Sequence, residues 1–325
     1  MRDELKKVVL ITTGGTIASN VNPETGLYSS GAISGKELSK NCDLPSDIEL
    51  DVHSIFQLPS NEMTFENLIS LKDKILEVFK NPDVAGVVVT HGTDTLEETA
   101  YFLDLTIDDE RPVVVTGSQR SPSMMGTDAY VNLRQSIILA ASSECRNLGT
   151  MVLFNEKIYP AKYVKKNHAG NIDGFTSSVE FGLLGYIDGE EIFIHQKAVE
   201  RETYQLKNPL PYVEIIKCSL GSNGKLVEYA AEIGAKGIVL EGFGRGQVHP
   251  YVMGGVKKAI EKGVIVVITT STPEGNVKLV YDTPGTAYDL YNHGVILGRN
   301  YDSKKARIKL AVMLAANEEN IREKF

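Results

Sequence analysis

Six consecutive residues, Thr90-His91-Gly92-Thr93-Asp94-Thr95, bring together hydroxyls, an imidazole and a carboxylate. A threonine hydroxyl attacks a carbonyl only when a neighbour takes its proton, so Thr93 beside Asp94 asks for a base. His91 leaves directly from an apolar run and reads better as a hydrogen-bonded structural histidine than as that base. A lysine is the other source, and Lys162, Lys165 and Lys166 cluster together, though such a charge run usually faces solvent. A second hydroxyl, Thr16, follows the paired glycines Gly14 and Gly15, where missing side chains let a small substrate approach the backbone. Taken alone, Thr16 would be an ordinary turn threonine.

Metal and nucleotide chemistry find no support in the pattern. The six histidines, at 53, 91, 168, 195, 249 and 293, show no ligand spacing, and there is no Cys-x-x-Cys pair. Gly14-Gly15 lacks both Gly-x-Gly-x-x-Gly and Gly-Lys-Ser/Thr, and no Gly-x-Ser-x-Gly elbow is present. Neither a metal nor an organic cofactor is expected.

Each polar turn ends an apolar run. Residues 8–11 lead into Thr12-Thr13-Gly14-Gly15-Thr16, residues 84–89 into the opening motif, and residues 112–115 into Thr116-Gly117-Ser118-Gln119-Arg120. Helical patterns over 65–79, 96–105 and 128–141 alternate with them, which predicts right-handed crossovers and a parallel sheet. All three turns then share the carboxyl edge of that sheet, where open α/β sheets bind ligands. Residues 149–154 read as a further strand. Residues 17–38 predict a long structureless lid, with Tyr28 as its one aromatic side chain between possible hinges at Gly26 and Gly31.

With 325 residues, the chain exceeds what one hydrophobic core usually serves. The predicted organisation is a larger N-terminal catalytic α/β domain over 1–198, with a parallel sheet in a flavodoxin- or Rossmann-like layout. A polar, proline-terminated linker follows at 199–210, then a smaller C-terminal α/β domain over 211–325. There, helices over 226–233 and 253–261 each stop at a glycine before a strand, and Asp302 or Ser303 caps a last helix. A net charge of −8 argues against a nucleic-acid partner. The odd count of three cysteines, the lack of a signal-peptide pattern and the lack of a membrane-spanning apolar run predict a cytoplasmic protein with reduced thiols and no membrane partner.

The chain resembles the bacterial-type L-asparaginase family over essentially its whole length. The similarity is carried by Thr13-Gly14-Gly15-Thr16-Ile17-Ala18, Thr90-His91-Gly92-Thr93-Asp94-Thr95-Leu96-Glu97-Glu98-Thr99-Ala100, Thr116-Gly117-Ser118-Gln119-Arg120 and Lys305-Ala306-Arg307. The resemblance implies an amidohydrolase in which Thr16 is the nucleophile and Tyr28 its lid tyrosine. It implies that Thr93 works with Asp94 and a lysine, Lys166 by ungapped alignment and Lys165 as the fallback. Ser60 matches the residue that receives the substrate α-carboxylate, and Asp94 the one that grips the α-ammonium. Backbone N–H groups near Thr16 and Thr93, around Gly15 and Gly92, would stabilise an oxyanion. Asn61 stands where relatives often carry Gln, and Gln247 occupies the position that reaches a neighbouring subunit's site. The family's late acidic contact has no clear match around Tyr281 to Tyr288.

The expected reaction is hydrolysis of the L-asparagine side-chain amide to L-aspartate and ammonia through an acyl-enzyme. A homo-oligomer, dimer or tetramer, is expected with it. The alternative is a glutaminase–asparaginase with comparable activity on L-glutamine. An amidotransferase subunit would need partner-binding appendages, and a non-enzymatic effector-binding module would not need Tyr28, Thr93 and Lys166 together.

Overall fold

The apolar run Val8-Val9-Leu10-Ile11 forms the middle of the first strand, β1 (Lys6–Gly14), and all four side chains are buried. The computed structural model describes residues 5–22, 24–29, 32–198 and 201–325, the side chains of residues 21, 28 and 29 excepted. Two units separate by their contacts, Met1–Thr203 and Tyr204–Phe325.

In the first unit β1 is followed by β2 (Asn20–Val21), β3 (Tyr28–Ser29), α1 (Gly35–Lys40), β4 (Ile48–Leu58), α2 (Phe65–Val78) and β5 (Val84–Thr90). Then come α3 (Leu96–Thr106), β6 (Val113–Thr116), α4 (Ala129–Ala141) and β7 (Thr150–Phe154). Shorter strands complete it: β8 (Lys157–Pro160), β9 (Lys165–Lys166), β10 (Phe175–Thr176), β11 (Gly185–Asp188) and β12 (Glu191–Ile194).

An eight-stranded sheet runs β12-β11-β8-β7-β6-β5-β1-β4. Strands β4, β1, β5, β6 and β7 are parallel, while β8, β11 and β12 extend the sheet as an antiparallel arm. Taken in chain order, the parallel part has the 2-1-3-4-5 arrangement of flavodoxin-like sheets. The direction of winding reverses between β1 and β5, so a crevice opens at their carboxyl ends. Thr12 pairs with Thr90 in register there, and both threonine-bearing turns leave from that point.

Helices cover both faces, as a parallel sheet requires. On one face Val8, Leu10, Val88, Val114, Met151 and Leu153 pack with Leu133, Ile137 and Leu139 of α4 and Leu38 of α1. The alternate residues Val9, Ile11, Val87 and Val89 are equally buried on the other face. The three cysteines are free and buried, and burial pushes the thiols of Cys42 and Cys218 up to about 11 and that of Cys145 to about 12.

Residues 17–38 depart from the expected structureless lid. Strands β2 and β3 pair antiparallel, and α1 begins at Gly35 with Ser34 as its cap, Ser34 Oγ accepting from Glu37 N. Asn22 drives the reversal: its carbonyl accepts from Gly26 N at 2.8 Å and its side chain from Glu24 N at 2.9 Å. Strand β4 was not anticipated either, because its polar residues obscure the strand pattern; as an edge strand it is only partly covered.

The second unit has β13 (Val213–Lys217), α5 (Lys225–Glu232), β14 (Gly237–Gly242), α6 (Met253–Glu261), β15 (Ile265–Thr270), α7 (Ala287–Asn292), β16 (Ile296–Leu297) and α8 (Ser303–Ala315). Its four strands pair in parallel in the order β13-β14-β15-β16. Val227, Ile238, Leu240, Val256 and Ile268 lie in its core. Asp302 caps α8, accepting from Lys305 N at 3.0 Å. Among the described residues no helix is long and apolar enough to cross a membrane.

Candidate active site

Three loops leave β1, β4 and β5 at the carboxyl edge and touch through glycine. Gly14 and Gly15 have φ values of 110° and 82°, a region that residues with side chains rarely adopt. A Cβ on Gly15 would stand 2.5 Å from Gly92 Cα, and one on Gly92 would stand 2.6 Å from Ser60 Oγ. The loop after β1 therefore packs backbone to backbone on the loop after β5, which packs on the turn after β4. Thr16, Thr93 and Ser60 ride on these loops at or beside the contacts.

Thr16 opens a short turn, Thr16–Ala18, closed by Ser19 N–H donating to Thr16 O at 3.0 Å. Ser19 Oγ donates to Gly15 O at 2.8 Å and fixes the glycine carbonyl. The Thr16 hydroxyl has no hydrogen-bond partner among the described residues. Tyr28 lies on β3; its side chain is outside the described residues.

Thr93 is buried, and its Oγ1 accepts from Lys166 Nζ at 2.8 Å. The same ammonium donates to Asp94 Oδ1 at 2.6 Å. The two ends of this pair differ, because the Lys166 side chain is 13% exposed and that of Asp94 is 67% exposed. One carboxylate oxygen of Asp94 is thus held while the group as a whole faces solvent. Lys166, rather than the exposed Lys165, makes these contacts.

Ser60 is buried and ties the turn after β4 to the Asp94 segment. Its Oγ accepts from Asp94 N at 3.2 Å, and its carbonyl accepts from Thr95 Oγ1 at 2.8 Å. With its oxygen used as an acceptor, the Ser60 hydroxyl keeps its proton for a further acceptor. Asn61 next to it is exposed. Gln247, in the second unit, is half-buried in a tight loop where Phe243 and Gln247 exchange both backbone hydrogen bonds, at 2.7 and 2.9 Å.

His91 is fully buried and bonded at both ring nitrogens, to Gly92 O at 2.7 Å and to Thr99 Oγ1 at 3.0 Å. A carbonyl only accepts, so Nδ1 carries the proton and Nε2 accepts from Thr99. Burial pulls the imidazole down to about 4, and it is neutral at ordinary pH. Its role is to brace the turn that bears Thr93. Asp128 braces the loop after β6, its two oxygens accepting from Gln119 N and Arg120 N at 2.9 Å each.

Two further groups reach the cluster from within the recognised motifs. Gln119 Oε1 lies 3.5 Å from Thr93 Oγ1, and the buried Glu97 accepts the backbone N–H of Lys166 at 2.8 Å. Glu97 is separated from Lys166 by 69 positions, so no local spacing could have revealed the contact. Among the described residues, no group of three or more His, Cys, Asp or Glu is arranged to hold a metal ion.

Carboxylate, ammonium and hydroxyl thus form a polar cluster at the switch point of a doubly wound sheet, the place where enzymes of this architecture bind their ligands. Residues 7–200 match the family described as Asparaginase, N-terminal, and residues 212–325 match the Glutaminase/Asparaginase C-terminal domain. The chain belongs to the asparaginase family of amidohydrolases. It is 55% identical to L-asparaginase of Bacillus licheniformis over 320 residues, covering 98% of this chain and 99% of that one. It is 31% identical to glutaminase-asparaginase of Acinetobacter glutaminasificans, with 94% of each covered. The crystal structure described as a probable cytoplasmic L-asparaginase from Campylobacter jejuni superposes with a TM-score of 0.89 at 32% identity, covering 98% of this chain and 97% of that one.

Proposed function

We propose that this protein hydrolyses the side-chain amide of L-asparagine, releasing L-aspartate and ammonia. The observation that carries the proposal is the Lys166–Thr93–Asp94 relay, set on a loop that packs against the loop bearing Thr16. The high identity to an enzyme named L-asparaginase supports the choice of substrate, and the more distant glutaminase-asparaginase gives less support to the alternative.

The substrate's α-carboxylate accepts from the Ser60 hydroxyl, and its α-ammonium meets the exposed side of the Asp94 carboxylate. Thr16 Oγ attacks the amide carbon, with Tyr28 delivered from the β2–β3 hairpin as its polar partner. A carbon–oxygen bond forms, the carbon–nitrogen bond breaks, and the nitrogen leaves as ammonia with the proton surrendered by the threonine. Water, oriented at Thr93 by Lys166, then adds to the acyl-enzyme and frees Thr16. Backbone N–H groups beside Gly15 and Gly92 face the developing oxyanion; loss of one such donor in other enzymes costs about 3 kcal/mol. Asn61 borders the substrate's side, and copies of the chain assemble so that Gln247 reaches a neighbouring site. The protein works in the cytoplasm, as the description of the Campylobacter structure supports.

Ammonia release from L-asparagine, D-asparagine and L-glutamine tests the substrate. Pre-steady-state turnover of Thr16→Ala and Thr93→Ala tests the roles: normal acyl-enzyme accumulation in Thr16→Ala removes Thr16 as nucleophile.

A further inference from the structure

Lys166 is held at both ends by one short segment. Thr93 and Asp94 hold its ammonium, and Glu97, in the first turn of α3, holds its backbone N–H at 2.8 Å. Glu97 is 1% exposed. Burial of a carboxyl group is costly unless it is hydrogen-bonded, and the bond accepted from Lys166 N–H offsets part of that cost.

The reason this contact matters lies in the strand that carries the lysine. Among the described residues strand β9 pairs only with β10, in a two-stranded ribbon separate from the large sheet. Lys166 stands opposite Phe175, and the next cross-ribbon bond is donated by Asn167 N to Gly174 O at 2.8 Å. The Lys166 N–H points out of the ribbon, where a wider sheet would offer another strand. Among the described residues no third strand joins it, and the Glu97 carboxylate occupies that position.

We infer that Glu97 is a positioning residue for the amide-hydrolysing site, fixing the Lys166 backbone so that one ammonium meets Thr93 Oγ1 and Asp94 Oδ1 together. The inference rests on the reading of Lys166 as part of the reaction machinery. In this role Glu97 acts through the lysine, whose backbone N–H it accepts.

The full chain is purified with Glu97→Gln, Glu97→Asp and Glu97→Ala, and with Lys166→Met as reference. Ammonia release from L-asparagine gives kcat and KM, and cooperative unfolding reports the fold. Gln keeps an acceptor oxygen at the same reach, whereas Asp keeps the carboxyl group and falls one methylene short. Positioning predicts that Glu97→Gln stays within about threefold of the parent kcat, while Glu97→Asp and Glu97→Ala fall about 10- to 100-fold with KM changed less than about twofold. If Glu97→Ala fails to fold, the order of Gln over Asp still decides. A kcat for Glu97→Asp equal to or above that of Glu97→Gln overturns the inference, as does parental kcat in all three. Failure of both Gln and Asp variants to fold overturns it too, leaving Glu97 a role in stability alone. Near-parental kcat in Lys166→Met would instead strike the reading of the site itself.

Discussion

Asp94 stands just before helix α3 and Asp104 in its last turn, and each meets a cation far along the chain. Asp94 Oδ1 is 2.6 Å from Lys166 Nζ, and Asp104 Oδ1 is 3.6 Å from Arg201 Nε. The first carboxylate faces solvent; the second is largely covered and accepts Thr150 N at 2.9 Å. Burial pushes Asp104 up to about 6, against the pull of Arg201 and the Thr150 N–H. The same residue type near the two ends of one helix is thus committed to the fold at one end and left open to solvent at the other. An ion pair alone does not mark a reactive site; the Lys166 ammonium differs from the Arg201 pair in also meeting a hydroxyl beside an accessible carboxylate.

The sharpest way to break the contrast is Lys166→Met. It is expected to lower kcat for L-asparagine about 10³-fold, as loss of a positioned proton-handling group does. Its unfolding midpoint should stay within about 3 °C of the parent, since a pair with one exposed partner contributes little to stability. Ammonia assays and thermal unfolding check both halves. Gly15→Ala comes next: a side chain at φ 82° that also meets Gly92 should cost about 2–4 kcal/mol in denaturant unfolding, with activity falling alongside.

Acid titration sharpens the comparison further. Asp104 has a folded value above its unfolded one, so its contribution to stability is fully present below about pH 4 and is lost as pH rises through about 6. His91 runs the other way: depressed to about 4 in the fold, it contributes stability above its unfolded value near 6.5 that is lost as pH falls through about 4. Between these limits the two slopes oppose each other. Relative to the parent, Asp104→Asn should lose stability by about 2 kcal/mol between pH 7.5 and pH 4, and His91→Gln should gain a similar amount over the same range. Unfolding curves at both pH values measure it; parallel pH profiles for all three proteins would contradict it. The smallest effect is expected for Lys165→Met, where the exposed neighbour of Lys166 should change kcat by less than about twofold.

Much of this arrangement can be read from the residues. The three polar turns follow β-branched runs, and the alternating helices force them to one edge of the sheet. The Asp302 cap and the glycines after α5 and α6 are local signals that need no tertiary knowledge. What stays hidden is set by distant partners. Strand β4 carries Asp51 and His53, paired with each other at 3.1 Å, and so lacks an apolar signature. The hairpin inside residues 17–38 depends on one asparagine's bonds to nearby backbone. The β9–β10 ribbon is too short to have a period, and its place is fixed by distant partners: Glu97, Thr93 and Asp94 on Lys166, and Phe154 and Tyr159 on the buried Phe175.

That ribbon is tied to the rest of the unit through side chains rather than through a shared sheet ladder. Beyond the Lys166 anchors, Asp173 reaches Lys157 at 2.6 Å and Asn155 at 3.1 Å, Tyr159 Oη donates to Phe175 O at 3.0 Å, and the Phe175 ring packs on Phe154 at 4.6 Å. The intervening loop, residues 167–174, can therefore be lengthened, trimmed or exchanged without disturbing a rung of the main ladder, provided those ties are kept. Changes in that loop are expected to alter the setting of Lys166 while leaving in place the ladder that keeps the unit folded.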